Sequence, residues 1–319
     1  MAESSVNPVC PCSAKSRLQK HVTGYQCQKT MCIHHQKDKC FPITKGIPVL
    51  ISEFNCDTIC DTARYSENIE QPFINRKNGR DSIFIYLKNK LKSDSSVTIN
   101  NCRSFVSEIT KINEQSNVLV IGSGTVGQGM DELYASSAKI TGIDIYASPS
   151  VHYIADTHYL PFPDECFDGV WIQAVLEHVA DPGAVVAEIY RVLKRSGIVY
   201  AETPFMQQVH EGAYDFTRFT VLGHRFLFKR FEAIKFGGNK GSGVALSWAL
   251  KYFLWGLLRN KKIAAAISLP IGFILRHLER ISDKRMLFDG SSGVFFLGRK
   301  SRLTLKQRDL VELYKGMQE

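Results

Sequence analysis

A glycine-rich turn between two strand-like runs constrains the fold of this chain more than any other feature. Gly122, Gly124 and Gly127 form the pattern G-x-G-x-x-G directly after the apolar run NVLVIG. Asp144 closes the next such run, KITGID. Glycine lets the backbone turn sharply and approach a ligand closely, and an acid at the end of the second strand accepts hydrogen bonds from ribose hydroxyls. The pattern leaves two cofactors open, a dinucleotide or S-adenosylmethionine (SAM), with a plain strand-to-helix turn as the structural alternative.

Short β-rich runs alternate with helical patterns across residues 113–240, which is typical of a parallel α/β sheet. The predicted strands are 117–122, 139–144, 152–156, 167–174 and 198–203. Helices are predicted at 128–137 and at 181–193, the second opened by an Asp-Pro pair and stopped by Gly197. This alternation implies right-handed crossovers and ligand binding beyond the carboxyl ends of the strands.

The 319 residues suffice for about two domains, and four stretches of the chain differ in character. They are a Cys-, His- and Lys-rich region at 1–53, a helical linker at 54–112, the α/β domain at 113–240, and a helical carboxyl-terminal region at 241–319. The linker is predicted to contain helices at 83–91 and 105–112. The run GVFFLG at 293–298 predicts a last strand for the sheet.

Residues 155–204 closely resemble the class I SAM-dependent methyltransferases of the UbiE-like, type 11 group. The family pattern is an acid, L-P-F-P-D, F-D, L-E-H, a D-P helix and R-V-L-K-x-x-G. This chain has those pieces in order at Asp156, Leu160 to Asp164, Phe167-Asp168, Leu176 to His178, Asp181-Pro182, Arg191 to Lys194, and Gly197. Nicotinamide enzymes lack this series. The resemblance therefore selects SAM, and it implies a Rossmann-like α/β fold and methyl-transfer activity.

The resemblance also implies a set of cofactor contacts. They are Gly122, Ser123 and Gly124 for the methionine end, with Gly127 in the same turn; Asp144 for the ribose; Ile145, Asp156 and Thr157 for the adenine; and Gln173 beside the methyl group. For Asp156 the structural alternative is a loop cap. Relatives usually carry acids near the positions of Asn117 and Val120, and this chain has none there. We therefore expect this chain to bind SAM more weakly than those relatives do. A non-catalytic partner protein with the methyltransferase fold stays open as an alternative.

The segment at 202–220 resembles one in bacterial methyltransferases that are encoded with surface-polysaccharide genes. The candidate catalytic residues are His210, Asp215 and His178, and the candidate substrate contacts are Tyr214, Phe216 and Arg218. An imidazole accepts a proton near neutral pH, which suits His210 as a general base with Asp215 orienting it. The alternative is a segment that is folded by its own hydrogen bonds. The resemblance implies methylation of a small molecule or glycan, on oxygen.

Nine cysteines without a secretion signal favour reduced thiols or metal ligands over disulfides. Ahead of the run FPITKGIPVL, they resemble the short zinc-ribbon domain that precedes some bacterial methyltransferases. The implied ligands of one structural zinc ion are Cys10, Cys12, Cys27 and Cys32. Their spacings, one and four residues, differ from the usual two. A site that uses His34, His35 or Cys40, or a fold without metal, therefore stays open.

Forty basic and 31 acidic residues leave a net charge of +9, which is compatible with anionic partners. An rRNA or tRNA methyltransferase is one alternative, although no basic-aromatic RNA module is visible in the sequence. Residues 244–281 are apolar with basic interruptions, which predicts helices at 244–260 and 263–281 that are too broken to span a bilayer. They would pack on the sheet, on a second subunit of a homodimer, or on a membrane surface. We expect a cytoplasmic protein, with peripheral membrane contact as the alternative.

Overall fold

The computed structural model describes residues 4–12, 14–52, 54, 58, 96–279 and 281–318. The predicted helix at 83–91 lies outside the described residues, as does most of the predicted linker. The chain divides into two compact units. The first comprises Met1–Trp171 and Ala184–Ile198, and the second comprises Ile172–Gly183 and Val199–Glu319. The predicted four-part division of the chain stays a prediction.

In the described residues, the predicted strands and helices between residues 117 and 204 occur in the predicted order. The strands are β1 (Leu18–Lys20), β2 (Gly24–Cys27), β3 (Cys40–Thr44), β4 (Ile47–Pro48), β5 (Asn117–Ile121), β6 (Lys139–Asp144), β7 (Tyr153–Ile154), β8 (Phe167–Gln173), β9 (Leu193–Pro204), β10 (Phe231–Lys240) and β11 (Gly293–Lys300). The helices are α1 (Ile33–Gln36), α2 (Ser96–Ile112), α3 (Asp131–Ala135), α4 (Pro182–Val192), α5 (Val221–Leu227), α6 (Ser242–Leu258), α7 (Lys261–Leu278), α8 (Met286–Gly290) and α9 (Gln307–Val311).

The larger sheet has the strand order β10-β11-β9-β8-β5-β6-β7. Strands β5, β6 and β7 run parallel, whereas β10 and β11 are antiparallel. Because β5 lies between β8 and β6, the chain crosses over the sheet and reverses direction there, which is the usual location of a ligand site. This is the Rossmann-like sheet of class I methyltransferases, and the predicted fold class is confirmed.

The cysteine-rich region forms a second sheet within the first unit, with the antiparallel order β1-β2-β3-β4. The backbone N–H of Leu50 donates to the carbonyl of Ile154 in β7 at 2.7 Å. An apolar cluster joins the two regions and consists of Ile47, Val49, Ile51, Val151 and Ile154. The cysteine-rich region and the edge of the larger sheet therefore share one core.

The helix predicted at 128–137 is shorter than expected. Helix α3 begins only at Asp131, because Gly129 has a φ of +79° and the left-handed conformation interrupts a helix. Residues 125–130 between the glycine turn and α3 form no regular helix. The predicted start of this helix at residue 128 is therefore wrong.

The prediction that Gly197 stops the helix before β9 is also wrong. Helix α4 ends at Val192, and Gly197 lies inside β9. The carbonyls of Arg191 and Val192 accept the backbone N–H groups of Glu165 and Cys166 at 3.0 and 2.9 Å. Since a neighbouring segment uses these carbonyls, the helix ends five residues before the glycine.

The carboxyl-terminal part contains one strand that the sequence analysis missed. Strand β10 pairs antiparallel with β11 from Phe231 opposite Lys300 to Lys240 opposite Gly293. Because β11 lies more than 50 residues after β10 in the chain, the local sequence pattern of β10 does not predict this pairing. Helices α6 and α7 confirm the two predicted apolar helices, and within the described ranges no helix is both long and apolar enough to cross a membrane.

Candidate active site

The glycine turn is tied to the end of β6. Gly122 follows β5 with a φ of +80°, and its N–H and that of Ser123 both donate to the carbonyl of Ile143 at 3.0 Å. The next amide, Gly124 N–H, donates to Asp144 Oδ2 at 2.7 Å. These bonds hold the predicted turn and the predicted ribose acid together.

Gly124 lies where a side chain would displace its neighbours. A Cβ at this position would clash with the Tyr146 ring and would lie 2.7 Å from Asp144 Oδ2, which is closer than Cβ atoms come to other atoms. The N–H of Ile145 donates to Asp144 Oδ1 at 2.7 Å and orients the carboxylate from its other side. A turn with glycine at 122 and 124, beside an oriented carboxylate, fits the methionine and ribose ends of SAM. The sequence analysis missed Tyr146, although an aromatic residue two positions after the acid was a visible signal.

The acid predicted for the adenine caps a turn of its own. Asp156 Oδ1 accepts the backbone N–H of His158 at 2.9 Å and the ring Nδ1 of His158 at 2.7 Å. Burial disfavours the charge, but these hydrogen bonds lower the pKa of Asp156 below its ordinary value. Thr157 is buried in the turn, and Ile145 packs on the apolar cluster of the first unit. Adenine contacts by these three residues stay a prediction.

The residues after β8 belong to the second unit. Gln173 ends the strand, and Ala174 has a φ of +54°, which is unusual for a residue with a side chain. The N–H of Ala174 donates to the carbonyl of Glu202 at 2.9 Å and holds this conformation. Backbone strain of about 1–3 kcal/mol is often found beside functional groups, and this position is where the resemblance implies the methyl group.

The segment after β9 brings His210, Asp215 and Arg218 together. Asp215 Oδ2 lies 3.1 Å from His210 Nδ1 and accepts the backbone N–H of His210 at 2.9 Å. Arg218 forms a two-pronged ion pair with the same carboxylate. Burial works against the charge, but the Arg218 and His210 hydrogen bonds lower the pKa of Asp215 to about 2. An ionised Asp215 therefore orients the His210 ring at neutral pH.

Arg218 is held by its own segment. Its Nε donates to the carbonyl of Gln207 at 3.0 Å, and Nη1 and Nη2 donate to the carbonyls of Thr217 and Gln208 at 2.8 and 3.3 Å. All three nitrogens thus have partners within the segment, besides the pair with Asp215. This favours the alternative in which the segment is folded by its own hydrogen bonds, and we do not propose Arg218 as an anion-binding residue.

His178 joins the same group of residues. Its Nδ1 donates to the carbonyl of Tyr214 at 2.6 Å, and its ring centroid lies 5.1 Å from that of His210. Phe216 is 46% exposed, so its ring remains available to a ligand. His178, His210 and Tyr214 thus lie together, and their roles in catalysis and substrate binding stay predictions.

Glu177 is a candidate that the sequence analysis missed. It is 1% exposed, and within the described chain no hydrogen bond reaches either carboxylate oxygen. Burial raises the pKa of Glu177 to about 8 and lowers that of His178. The signal was the acid of the L-E-H motif, next to a histidine already singled out.

The cysteine cluster of the first unit has the geometry of a zinc site. The four buried sulfurs lie within 4.8 Å of one another and belong to Cys10, Cys12, Cys27 and Cys32. The sulfurs of Cys10 and Cys32 are 3.8 Å apart. Zn–S bonds of about 2.3 Å in a tetrahedron place the sulfurs about 3.8 Å apart. Of the alternative ligands, Cys40 is exposed and His35 Nδ1 hydrogen-bonds to a backbone carbonyl.

His34 borders this cluster without completing it. Its buried ring places Nδ1 3.2 Å from Cys10 Sγ and 3.4 Å from Cys32 Sγ. Its Nε2 lies 2.6 Å from Ser52 Oγ. Metal-bound thiolates accept hydrogen bonds, so Nδ1–H would donate to the sulfurs while the Ser52 hydroxyl donates to Nε2. The side chains around the cluster therefore also fit a bound zinc ion.

Several residues of the motif series hold the fold rather than a ligand. Arg191 donates to the carbonyls of Leu160 and Phe162 at 3.0 and 2.8 Å. It also pairs with Asp164 at 2.8 Å and with Glu188 at 2.6 Å. The R-V-L-K and L-P-F-P-D motifs thus bind each other, which explains why they occur together.

The strand order and the turn at the end of β5 define a class I methyltransferase fold. Residues 119–201 match the model of a family described as a methyltransferase domain. The chain is 34% identical over 104 residues to the ubiquinone/menaquinone biosynthesis C-methyltransferase UbiE of Saccharophagus degradans, covering 32% of this chain and 39% of that protein. UbiE of Neisseria meningitidis serogroup C is 39% identical over 70 residues, which is 22% of this chain and 29% of the relative. The chain thus matches well under half the length of these relatives.

Solved structures with similar coordinates include further methyltransferases. A SAM-dependent methyltransferase from Archaeoglobus fulgidus has a TM-score of 0.42 at 16% identity, over 69% of this chain and 100% of that one. Phosphoethanolamine N-methyltransferase 2 of Haemonchus contortus, in complex with SAM, has a TM-score of 0.41 at 16% identity. It covers 70% of this chain and 61% of that one.

Proposed function

We propose that this chain is a SAM-dependent methyltransferase that acts on a hydroxyl group of a small molecule or glycan. The observation that carries the proposal is the hydrogen bond between Gly124 N–H and Asp144 Oδ2, at the point where SAM binding requires both a bare turn and an acid. Both residues lie within the part of the chain that matches the methyltransferase domain.

When bound, SAM supplies a methyl group that is already activated on sulfur. Gly122 and Gly124 would hold its methionine end, Asp144 its ribose hydroxyls, and Asp156 its adenine amino group. Since the methyl group is activated, the main task of the protein is to align the acceptor oxygen with it.

A hydroxyl acceptor loses a proton as the new bond forms, so the reaction needs a group to accept that proton. His210 is a suitable proton acceptor because a neutral imidazole carries a lone pair on one of its two ring nitrogens. Asp215, ionised and held by Arg218, would fix the tautomer with the proton on Nδ1 and leave Nε2 to accept the proton of the substrate.

The curated relatives are named as C-methyltransferases, so carbon is the rival acceptor. We propose oxygen because the histidine–carboxylate pair is the arrangement that removes a hydroxyl proton. The deciding experiment supplies SAM with a ¹³C-labelled methyl group to the protein and a cell extract, and follows the product by NMR. An O-methyl signal supports the proposal, a C-methyl signal rejects the oxygen assignment, and an unlabelled extract rejects the activity.

For the cysteine cluster we propose a structural zinc ion bound by Cys10, Cys12, Cys27 and Cys32. The support is the 3.8 Å separation of two sulfurs and the buried histidine beside them. Zinc bound here would stabilise the first unit, because one ion would hold together four cysteines that are up to 22 residues apart in the chain.

We also propose that helices α6 and α7 contact a membrane surface, which suits a lipid-linked acceptor. Large apolar side chains are exposed on both helices, among them Phe253 at 66%, Leu257 at 68%, Phe273 at 50% and Ile274 at 58%. Basic residues flank them and would meet anionic headgroups. In a flotation assay, vesicles with anionic lipid should carry the protein, and the double variant Phe253→Ser/Phe273→Ser should stay behind. A dimer that the same variant dissociates, without vesicle binding, would assign the face to a second copy instead.

A further inference from the structure

The carboxylate of Glu177 is buried without a hydrogen-bond partner in the described chain. An isolated buried carboxylate is costly, so the protein retains it only where something compensates for the charge. The backbone of Glu177 is fixed, because its carbonyl accepts the N–H groups of Phe216 and Thr217 at 2.8 and 3.3 Å. These bonds fix the backbone from which the buried side chain extends.

The adjacent residue, His178, presents a nitrogen lone pair to Glu177. Nδ1 of His178 faces the carbonyl of Tyr214 at 2.6 Å, and a carbonyl only accepts, so Nδ1 carries the hydrogen. Nε2 then carries the lone pair, and it lies 3.6 Å from Glu177 Oε1. One cation placed between Nε2 of His178 and Oε1 of Glu177 would accept an electron pair from each of them.

His210 supplies a third ligand. One ligand atom each from Glu177, His178 and His210 lie within 4.8 Å of one another. Nδ1 of His210 faces the carboxylate of Asp215 at 3.1 Å, so Nε2 is the nitrogen left to bind. The His210 side chain is 26% exposed, which keeps this side of the group open to a further ligand.

We infer that Glu177, His178 and His210 form a binding site for a divalent cation of the zinc class. Two imidazoles and one carboxylate are a common zinc ligand set that leaves one position open. With bonds of about 2.1 Å the ligand atoms of a tetrahedral site lie about 3.4 Å apart, close to the 3.6 Å observed between Glu177 and His178. Metal-binding histidines usually donate their other N–H to a carbonyl or a carboxylate, and both histidines do so here.

The inference goes beyond the proposed methyl transfer, and only its consequence rests on that function. A cation in this position would bind the acceptor oxygen at its open site and lower the pKa of the hydroxyl. In the metal-bound form His210 would act as a ligand and the hydroxyl proton would go to solvent, whereas in the metal-free form Nε2 of His210 would be the proton acceptor. Metal binding itself requires neither SAM nor an acceptor.

The test is a titration of the full chain with Co²⁺, in which absorption spectra are recorded after each addition. Thiolate ligands give Co²⁺ an intense near-ultraviolet band, whereas imidazole and carboxylate ligands give only the weaker visible bands. The wild-type protein should therefore bind one equivalent of Co²⁺ whose visible bands appear without the thiolate band. The variants Glu177→Gln and His178→Ala should lose this equivalent, and the exposed-histidine control His21→Ala should keep it.

Replacement of Asp215, which orients the His210 ring, should weaken Co²⁺ binding without abolishing it. Asp215→Asn should weaken the same Co²⁺ equivalent by about 10- to 100-fold, the usual effect of removing a group that orients a metal ligand. Unchanged Co²⁺ binding in Glu177→Gln and His178→Ala, or the absence of a thiolate-free equivalent in wild type, would overturn the inference. Calorimetry with SAM on the same samples keeps the two proposals separate, since none of these variants alters the residues assigned to SAM.

Discussion

The carboxylate of Asp144 accepts the backbone N–H of Gly124 at 2.7 Å, and this bond joins the ends of two neighbouring parallel strands. Residues 20 positions apart in the chain thereby form one wall of the proposed cofactor site. The geometry of this part of the site depends on the absence of a side chain at Gly124 as much as on the carboxylate of Asp144.

Removal of the acid should weaken cofactor binding. Asp144→Ala should raise the Kd for SAM by about 10- to 150-fold, or about 1.5–3 kcal/mol, the usual loss for hydrogen bonds to a charged group. Isothermal calorimetry measures this change. Asp131→Ala removes an exposed acid at the start of α3 and serves as the control. Equal affinities for wild type and Asp144→Ala would show that the ribose assignment is wrong.

A methyl group at position 124 should have a similar effect by a different route. In Gly124→Ala the new Cβ displaces the Tyr146 ring and the Asp144 carboxylate, so we expect at least a 10-fold loss of SAM affinity. Gly256→Ala is the control, because a Cβ there meets nothing within 4 Å in helix α6. If both alanine variants bind SAM alike, the turn does not touch the cofactor.

The proposed proton acceptor should matter for turnover and not for SAM binding. With the acceptor found by methyl labelling, His210→Ala should lower kcat by about 10²–10⁴-fold, the range for a lost general base. Asp215→Asn should cost less, because the ring remains. Calorimetry should show an unchanged Kd for SAM in both variants, and a crystal structure with the demethylated cofactor should locate the His210 ring. Full turnover in His210→Ala would leave the segment a purely structural role.

The cysteine cluster should lose its metal when any one of its members is replaced. Metal analysis of protein purified without chelator should show about one zinc fewer per chain in Cys12→Ser than in wild type. Cys40→Ser is the matched control, since Cys40 is exposed in the same region and outside the cluster. A wild-type protein that is folded without zinc at the cluster would refute the proposed zinc site. It would not contradict the fold of the small sheet.

His224 should make the protein sensitive to acid. Its ring is buried between Phe219 and Phe228, without a hydrogen-bond partner among the described residues, and burial lowers the pKa of His224 to about 3. Between that value and about 6.5 the unfolded chain binds the proton and the folded chain does not, so the free energy of unfolding falls as the pH falls.

The variant His224→Leu removes this proton uptake. The free energy of unfolding of this variant should therefore exceed that of wild type by an amount that grows as the pH is lowered from 6 to 4. The difference should grow by up to about 1.4 kcal/mol for each pH unit. Urea unfolding at several pH values measures it, with the exposed His21→Leu as control. Parallel pH curves for wild type and His224→Leu would contradict the buried, neutral histidine.

The sequence alone determined the order of strands and helices from β5 to β9 and the place of the glycine turn. It also indicated that the glycine turn and Asp144 lie at the carboxyl ends of strands, where the sheet binds ligands. The clustering of Cys10 with Cys12 and of Cys27 with Cys32 likewise predicted that four sulfurs would converge. Such features are encoded by residues close together in the chain, where periodicity and turn chemistry act.

The tertiary structure decided what each side chain finds opposite itself. The backbone of Glu165 and Cys166 ended helix α4, and β11 supplied the partner that makes a strand of β10. Packing also isolated the carboxylate of Glu177, which no local pattern distinguishes from any other acid. Partners and burial depend on residues distant in sequence, whereas periodicity records only near neighbours, so these features emerge only when the chain is folded.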